Sequence, residues 1–164
     1  MDILIMDMGD TIKGESTQTD FKDKIELLSF SHGVAQQITG DQSNQKRTSG
    51  KPNHQDFTVT KFMDLATCSL IDYCDQAKPI PLVTVIVGQN EEGKINQIVT
   101  YAMKNVLISS YSVGGGGGGK PQETLTMNYT AITWTYKPQQ PAGAATGQTS
   151  AAWDLTTNTT GASS

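Results

Sequence analysis

The sequence has little of several features that define whole classes of protein. It contains two cysteines in 164 residues, and its 12 lysines and arginines are outnumbered by 16 aspartates and glutamates. A net charge of −4 and a pI near 5.0 leave no basic surplus for nucleic acid or an anionic membrane. Long apolar runs are also missing. We therefore expect neither nucleic-acid binding nor membrane insertion.

The amino terminus lacks the pattern of a secretory signal. Asp2 lies where positive charge is usual, and Asp7 ends an apolar run of only four residues. The cysteines, Cys68 and Cys74, fall in one predicted helix, where six residues rise about 9 Å, beyond the roughly 7 Å Cα limit of a disulfide. We expect both to be reduced core residues, which suits synthesis in a reducing compartment.

A run of six glycines, residues 114–119, is followed by Lys120 and partly matches a phosphate-binding loop. That pattern requires Ser or Thr after the lysine, to hold magnesium, and a helix whose free N–H groups bind phosphate. Pro121 occupies the first position, and alternating apolar residues after it predict a strand. We interpret the run as slack between two strands, expect no cofactor, and keep an enzyme using this loop as the weakest hypothesis.

Alternating apolar and polar residues predict a chain made mostly of strands. The predicted strands cover residues 2–8, 23–35, 56–63, 81–88, 95–113 and 123–136. The last of them should contain a bulge near residues 130–131, where the apolar residues change phase. One helix is predicted, with Thr67 as its N-cap and Pro79 ending it. This pattern favours a mainly β fold, either an antiparallel barrel or a two-sheet sandwich, with one flanking α-helix.

Three regions stand out from this pattern. Leu27 and Leu28 make the second strand apolar on both faces, as packing against a neighbouring subunit would require. Residues 36–55 are polar, and so long a loop is expected to protrude and to be functional. From residue 138 the chain is rich in Ala, Gly, Thr and Ser, so we predict a body over 1–137 and a low-complexity tail over 138–164. We expect its large apolar residues, Trp153 and Leu155, to dock on the body or on a partner.

No group of residues predicts catalysis or metal binding. Asp7 and Asp10 are three apart, so they do not reproduce the two-apart aspartates of an aspartyl phosphatase. Ser31 and His32 are adjacent on a strand and therefore point to opposite faces. His54 is the only other histidine, and two histidines without a thiol or acidic cluster make a poor metal site. We expect each histidine at the surface or an interface, and we predict a protein that is not an enzyme.

Four stretches carry a resemblance to one family. They are IKGEST (12–17), LLSFSHGVAQ (27–36), QDFTVTKFMD (55–64) and KNVLISSYSVGGGGGGKPQETLTMNYTAITWTY (104–136). Together they resemble the haemolysin-coregulated protein (Hcp) family, the tube subunit of the bacterial type VI secretion system. The resemblance runs from residue 1 to about 137, and departs from the family at Cys68, where family helices often begin with proline. It implies an antiparallel β-barrel of two sheets with one flanking α-helix.

The resemblance also implies a function. Six copies close into a ring, and rings stack into a hollow tube inside a contractile sheath, with a spike-protein trimer at the tip. Contraction exports the tube with its effectors, some of which ride in the lumen. The subunit is then made in the bacterial cytoplasm and secreted through the apparatus without a signal peptide. By position-for-position match, Ser31 faces the lumen and contacts cargo.

The long polar loop is our candidate for the contact between stacked rings. Its side chains that suit a polar contact are Gln42, Gln45, Lys46 and Arg47. A tube that must later fall apart should keep this contact polar, because polar rims add less lasting affinity than apolar cores. The alternative function is a monomeric β-barrel that binds a small ligand in its interior.

Overall fold

The computed structural model describes residues 3–38, 50–138 and 147–161, and these are mainly β. The strands are β1 (Ile3–Asp7), β2 (Ile25–Glu26), β3 (Ser29–Ser31), β4 (Val34–Ala35), β5 (Asn53–His54), β6 (Phe57–Phe62), β7 (Ile80–Glu91), β8 (Lys94–Gly114), β9 (Gln122–Asn128), β10 (Ala131–Tyr136), β11 (Thr149–Asp154) and β12 (Thr159–Thr160). The one helix in these ranges is α1 (Thr67–Asp75). It is too short to be a membrane span.

Two antiparallel sheets share the long strand β8. The first sheet has the order β12-β11-β10-β8-β7-β1-β2, and the second has the order β3-β6-β9-β8. The first half of β8 pairs with β7 and β10, whereas its second half pairs with β9. Asn105 lies where β8 passes between the sheets and has a φ of 50°, a left-handed conformation that asparagine tolerates better than most residues. The strand can therefore turn without ending.

The segment between β2 and β3 joins the free edges of the two sheets. The Leu27 N–H donates to the Leu4 carbonyl of β1, and the next residue, Leu28, donates its N–H to the Thr60 carbonyl of β6. Consecutive residues thus bond to opposite sheets and complete a β-barrel. The predicted fold class, an antiparallel β-barrel of two sheets with one flanking helix, is confirmed.

The prediction of one continuous strand over 23–35 is wrong, because this segment forms the three short strands β2, β3 and β4. Its passage from one sheet to the other explains the two adjacent leucines. Leu27 is 8% exposed and packs in the core, whereas Leu28 is 43% exposed on the surface of the single chain.

The core lies between the inner faces of the two sheets and is filled by large apolar side chains. Fully buried members include Met6, Phe57, Leu70, Val85, Met103, Leu125 and Met127. Leu70 belongs to α1, so the helix contributes to the same core. A second, smaller cluster of Ile3, Ile5, Phe21 and Ile86 covers the other face of the first sheet.

The ends of α1 differ from those predicted. Thr67 is the first helical residue rather than the N-cap; the N-cap is Ala66, which has no side-chain cap. The Asp64 carboxylate instead accepts the Ala66 N–H at 2.9 Å. The helix also ends before Pro79, because Ala77 adopts a φ of 49° and turns the chain.

The prediction of one bulged strand over 123–136 is also wrong. This stretch forms β9 and β10, which belong to different sheets and are separated by a corner at residues 129–130. The apolar residues do change phase here, but the reason is that the chain moves from one sheet to the other between β9 and β10, and not that one strand contains an extra residue.

Both cysteines are free thiols. Cys74 is partly buried and packs against the core, but Cys68 is exposed, so the expectation of a core residue is wrong for Cys68. Six residues advance about 600° around a helix, which is a net 240°, so the two side chains lie on different faces.

The carboxyl-terminal part of the chain adds a hairpin to the first sheet. Strand β11 pairs with β10 along its whole length, and β12 pairs with β11. Trp153 is partly buried, and Leu155 packs against the core and donates its N–H to the Thr130 carbonyl at 2.8 Å. Both residues therefore dock on the body of the same chain. The boundary between body and tail at residue 137 stays a prediction.

Candidate functional site

The outer face of the second sheet carries hydroxyl groups in two rows that cross all four strands. We call these eight residues the hydroxyl face: Ser31, Thr58, Thr126 and Ser110 in one row, and Ser29, Thr60, Thr124 and Ser112 in the other. Because side chains alternate along a strand, the residues between them point into the core, where Phe57, Val59 and Leu125 are fully buried. The result is an uncharged, polar surface built from small side chains.

Hydrogen bonds order one border of the hydroxyl face. Strand β8 has a register shift between Ile108 and Ser110, which adds Ser109 to the outer surface. The Ser109 hydroxyl donates to Asp56 Oδ2 at 2.6 Å, and Asn128 Nδ2 donates to Asp56 Oδ1 at 3.0 Å. The Ser110 and Thr126 hydroxyls lie 2.6 Å apart. The Asp56 carboxylate, bound by the neutral side chains of Ser109 and Asn128, therefore lies at the edge of the hydroxyl face.

The structure places only one of the predicted site residues. Ser31 is exposed at the end of β3, directly opposite Thr58, and belongs to the hydroxyl face. The four predicted inter-ring residues, Gln42, Gln45, Lys46 and Arg47, lie outside the described residues. Sequence reasoning missed the seven other hydroxyl residues, although their alternation in SFS, TVT and TLT was a usable signal.

A buried ionic network lies on the opposite, inward side of the second sheet. Lys61 and Glu123 are both 0% exposed, are cross-strand partners, and approach to 2.6 Å between Nζ and Oε2. Lys61 Nζ also lies 2.8 Å from Asp64 Oδ1, just before α1. The Tyr111 O–H donates to Glu123 Oε1 at 2.7 Å. Strands β6, β8 and β9 are thus tied to the start of the helix.

The network shifts the pKa of two of its members. Burial acts to raise the pKa of Glu123, but hydrogen bonds from Lys61, Tyr111 and Thr67 outweigh it, so that the pKa is lowered overall. Burial and the hydrogen bond to Glu123 raise the pKa of Tyr111 to about 12. Glu123 is therefore a carboxylate near neutral pH, and the pair is ionic.

Both histidines of the chain meet beside the second sheet. Tyr129 Oη lies 3.0 Å from His54 Nδ1 and 3.4 Å from His32 Nε2. The two imidazole rings are 6.3 Å apart between centroids. We call His32, His54 and Tyr129 the histidine–tyrosine cluster. Both histidines are partly buried in the single chain, and the expectation that each lies at a surface or an interface stays a prediction.

Aromatic side chains surround the histidine–tyrosine cluster. His32 stacks on Phe57, and His54 stacks on Trp134, with centroids 5.4 and 6.0 Å apart. Burial lowers the pKa of both histidines, and the neighbouring His54 lowers the pKa of His32 further. Burial also raises the pKa of Tyr129. The neutral forms of all three groups are favoured in the folded chain.

The glycine run and the Asp7–Asp10 pair, both singled out in the sequence, do not form a phosphate-binding loop or a pair of adjacent carboxylates. The glycine run joins β8 to β9, so a strand follows it, as predicted. Asp7 Oδ1 accepts the Gly9 N–H at 2.7 Å and lies 2.7 Å from Lys24 Nζ, whereas Asp10 is exposed. Asp7 ends β1 and Asp10 lies in the turn that follows, so the two carboxylates have separate surroundings.

Comparison with known proteins assigns the family. A family model described as "Type VI secretion system effector, Hcp" matches residues 5–136. The chain therefore belongs to the Hcp family of type VI secretion proteins. Among its relatives is Protein hcp1 of Pseudomonas aeruginosa, which is 30% identical over 147 residues, 88% of each chain.

Solved structures share the whole fold. A protein described as a type six secretion system protein has a TM-score of 0.89 and 30% identity, with 98% of this chain and 100% of that chain covered. Hcp1 from Salmonella typhimurium has a TM-score of 0.79 and 21% identity, with 96% and 97% covered. At that lower identity the likeness concerns the fold alone.

Proposed function

We propose that the chain is the tube subunit of a type VI secretion system, which closes with five further copies into a ring and stacks into a hollow tube. The observation that carries this is the likeness over nearly the whole chain to a type six secretion system protein, with a TM-score of 0.89. The subunit is made in the bacterial cytoplasm and leaves through the apparatus together with the spike trimer and effector cargo, inside the contractile sheath.

The exposed apolar side chains support self-association. A ring needs a heterologous interface whose rotation closes after a fixed number of copies. Burying exposed apolar side chains against another copy removes apolar surface from water and favours association. Large apolar side chains at least 40% exposed in the single chain are Leu28, Val34, Ile38, Phe62, Leu65, Leu82, Val113 and Tyr136. Neighbouring copies would cover part of this surface.

The hydroxyl face suits the wall of a cargo lumen. Ser31 belongs to it, and its neighbours in the row are Thr58 and Thr126. Hydroxyl groups both donate and accept hydrogen bonds, so they accommodate cargo of varied chemistry. Neither row carries a charge, and the Asp56 carboxylate lies only at the border of the face. We extend the lumenal assignment from Ser31 to the whole hydroxyl face.

The alternative, a monomeric barrel holding a small ligand, is not supported. Such a protein needs an interior cavity lined by a few polar groups. Here Met6, Val85, Met103 and Leu125 are fully buried in the middle of the barrel and fill it.

The proposed function is tested by native mass spectrometry of the purified protein, followed by negative-stain microscopy. We expect a mass of six subunits and ring-shaped particles with a central hole. A monomer at every concentration would contradict the proposal, and a closed ring of another number would correct the stoichiometry alone.

Enlarging Ser31 should reduce cargo loading. In Ser31→Gln, a longer side chain projects into the proposed lumen, and we expect the amount of co-purifying effector to fall several-fold while ring formation persists. Ser69→Gln is the matched control, because Ser69 is exposed on α1 and away from the hydroxyl face. Equal loading in both variants and the parent protein would remove Ser31 from the lumenal wall.

A further inference from the structure

The histidine–tyrosine cluster joins three separate segments of the chain. His32 lies between β3 and β4, His54 belongs to β5, and Tyr129 lies at the corner between β9 and β10. Strands β4 and β5 form a short ladder in which Val34 pairs with His54 and Ala35 pairs with Asn53. The long polar loop follows β4 in the chain, and β5 lies at the far end of that loop. The cluster therefore attaches both ends of that loop to the barrel.

The hydrogen bonds of the cluster require a neutral imidazole. Tyr129 is 3% exposed, so its O–H has little access to water. A neutral imidazole offers one acceptor nitrogen, whereas an imidazolium offers only donors. When at least one histidine is neutral, the phenol can donate to it while accepting from the other. When both are protonated, two donors face the phenol oxygen and the phenol proton has no acceptor within the cluster.

Burial and the neighbouring His54 lower the pKa of His32 and outweigh a backbone hydrogen bond to Gln55, which favours its charged form. The two imidazoles are 6.3 Å apart and lie against aromatic rings. The ionisable groups facing them are Tyr129, Tyr101 from β8 and Asp56 from the segment before β6. Burial raises the pKa of both tyrosines, so they stay neutral. The Asp56 carboxylate already accepts hydrogen bonds from Ser109 and Asn128.

We propose that the histidine–tyrosine cluster is an acid-sensitive clasp, in which protonation of both His32 and His54 breaks the contacts with Tyr129 and opens the β4–β5 ladder. No ligand or co-reactant is needed, because the only change is the uptake of protons by two imidazoles. The paired segments at 34–35 and 53–54 thereby separate from each other while the rest of the barrel keeps its pairing. This local device does not depend on the proposed tube.

The direction of the pH effect follows from linkage. Burial lowers the pKa of both histidines in the folded chain, so the open state takes up protons at higher pH than the closed state does. The clasp is fully closed above about pH 6.5, the ordinary histidine value, and loosens as the pH falls toward the depressed folded values. If the chain forms tubes, acidification would weaken whatever contact the loop makes with the next ring.

Hydrogen–deuterium exchange on the full chain tests the clasp. From about pH 7.5 to about pH 5, after correction for intrinsic exchange, amides of 32–35 and 53–55 should become roughly tenfold less protected. Amides of 83–87, in the pairing of β1, β7 and β8, should not change and serve as the internal control. Unchanged protection of the β4–β5 ladder at the lower pH would overturn the proposal.

A variant separates the clasp from general acid effects. His54→Gln keeps a polar side chain that cannot gain charge in this range, so the acid-induced loss of protection should largely disappear. A response as large as in the parent chain would contradict the proposal. Titration of both imidazoles by NMR in the unmodified chain is independent of any variant. Full protonation of both histidines with the ladder still protected would also overturn it.

Discussion

Lys61→Ala should lower the free energy of unfolding by about 3–5 kcal/mol, because it removes one partner of a buried pair and leaves the other uncompensated. Glu123 would remain as a carboxylate in a site that is 0% exposed. Asp64 would also lose the ammonium that lies 2.8 Å from it. Urea unfolding followed by tryptophan fluorescence measures the loss. A change below about 1 kcal/mol would show that the pair is not the dominant contact at this end of the barrel.

The double substitution Lys61→Met with Glu123→Leu is the matched control. It replaces both charges by apolar side chains of similar size, and such replacements in buried pairs are often neutral or stabilising. We expect it to recover the part of the stability that the unpaired Glu123 carboxylate costs, whereas Asp64 and Tyr111 still lose a partner. A double variant as unstable as the single one would place the loss in Asp64, Tyr111 and the packing of the Lys61 stem rather than in the charge left on Glu123.

The same pair predicts the pH dependence of stability. Because the pKa of Glu123 is lowered in the folded chain, its contribution is present above the unfolded glutamate value of about 4.3 and is lost as pH falls through the folded value. This loss begins at lower pH than the opening of the histidine–tyrosine cluster, because the ordinary glutamate value lies below the ordinary histidine value of about 6.5.

Deletion of residues 41–50 should abolish tubes while single rings still form. The deleted stretch contains Gln42, Gln45, Lys46 and Arg47, our candidates for the contact with the next ring. Ring closure should persist, because the strands of both sheets lie outside the deletion. Negative-stain microscopy and sedimentation distinguish rings from stacked tubes.

A matched variant separates the side chains of this loop from its length. Replacing residues 41–50 by a Gly/Ser sequence of equal length removes the four polar side chains but keeps the reach of the chain. If the side chains make the contact, this variant should also form rings alone. Intact tubes after the deletion would refute the role of the loop, and tubes with only the Gly/Ser sequence would assign that role to its length.

Much of the fold was readable from the sequence because several strands show a period of two. Apolar residues recur at every second position in Phe57 and Val59 of β6, in Leu125 and Met127 of β9 and in the middle of β7, and α1 has its apolar side chains at helical spacing. The two- and three-residue strands β2, β3 and β4 are too short to show any period, so they were read as one element. The hairpin β11–β12 was missed because small residues such as Ala and Ser give a weak strand signal.

The site was less predictable because register is a tertiary property. Ser31 came from resemblance to a family, but its neighbours Thr58 and Thr126 are set by pairing between strands distant in the chain. Tyr129 and His32 are 97 positions apart, and no local pattern joins them. Lys61 and Glu123 were not singled out in the sequence, because their pairing inside the barrel is set by the register of β6 and β9.

The sharing of β8 between both sheets has a consequence for how the subunit comes apart. The strand pairs with β7 and β10 in one wall and with β9 in the other. Neither wall can detach without stripping hydrogen bonds from this common strand, so the barrel melts as one cooperative unit rather than wall by wall. A subunit forced through a narrow channel would therefore stay folded until the whole barrel unfolds.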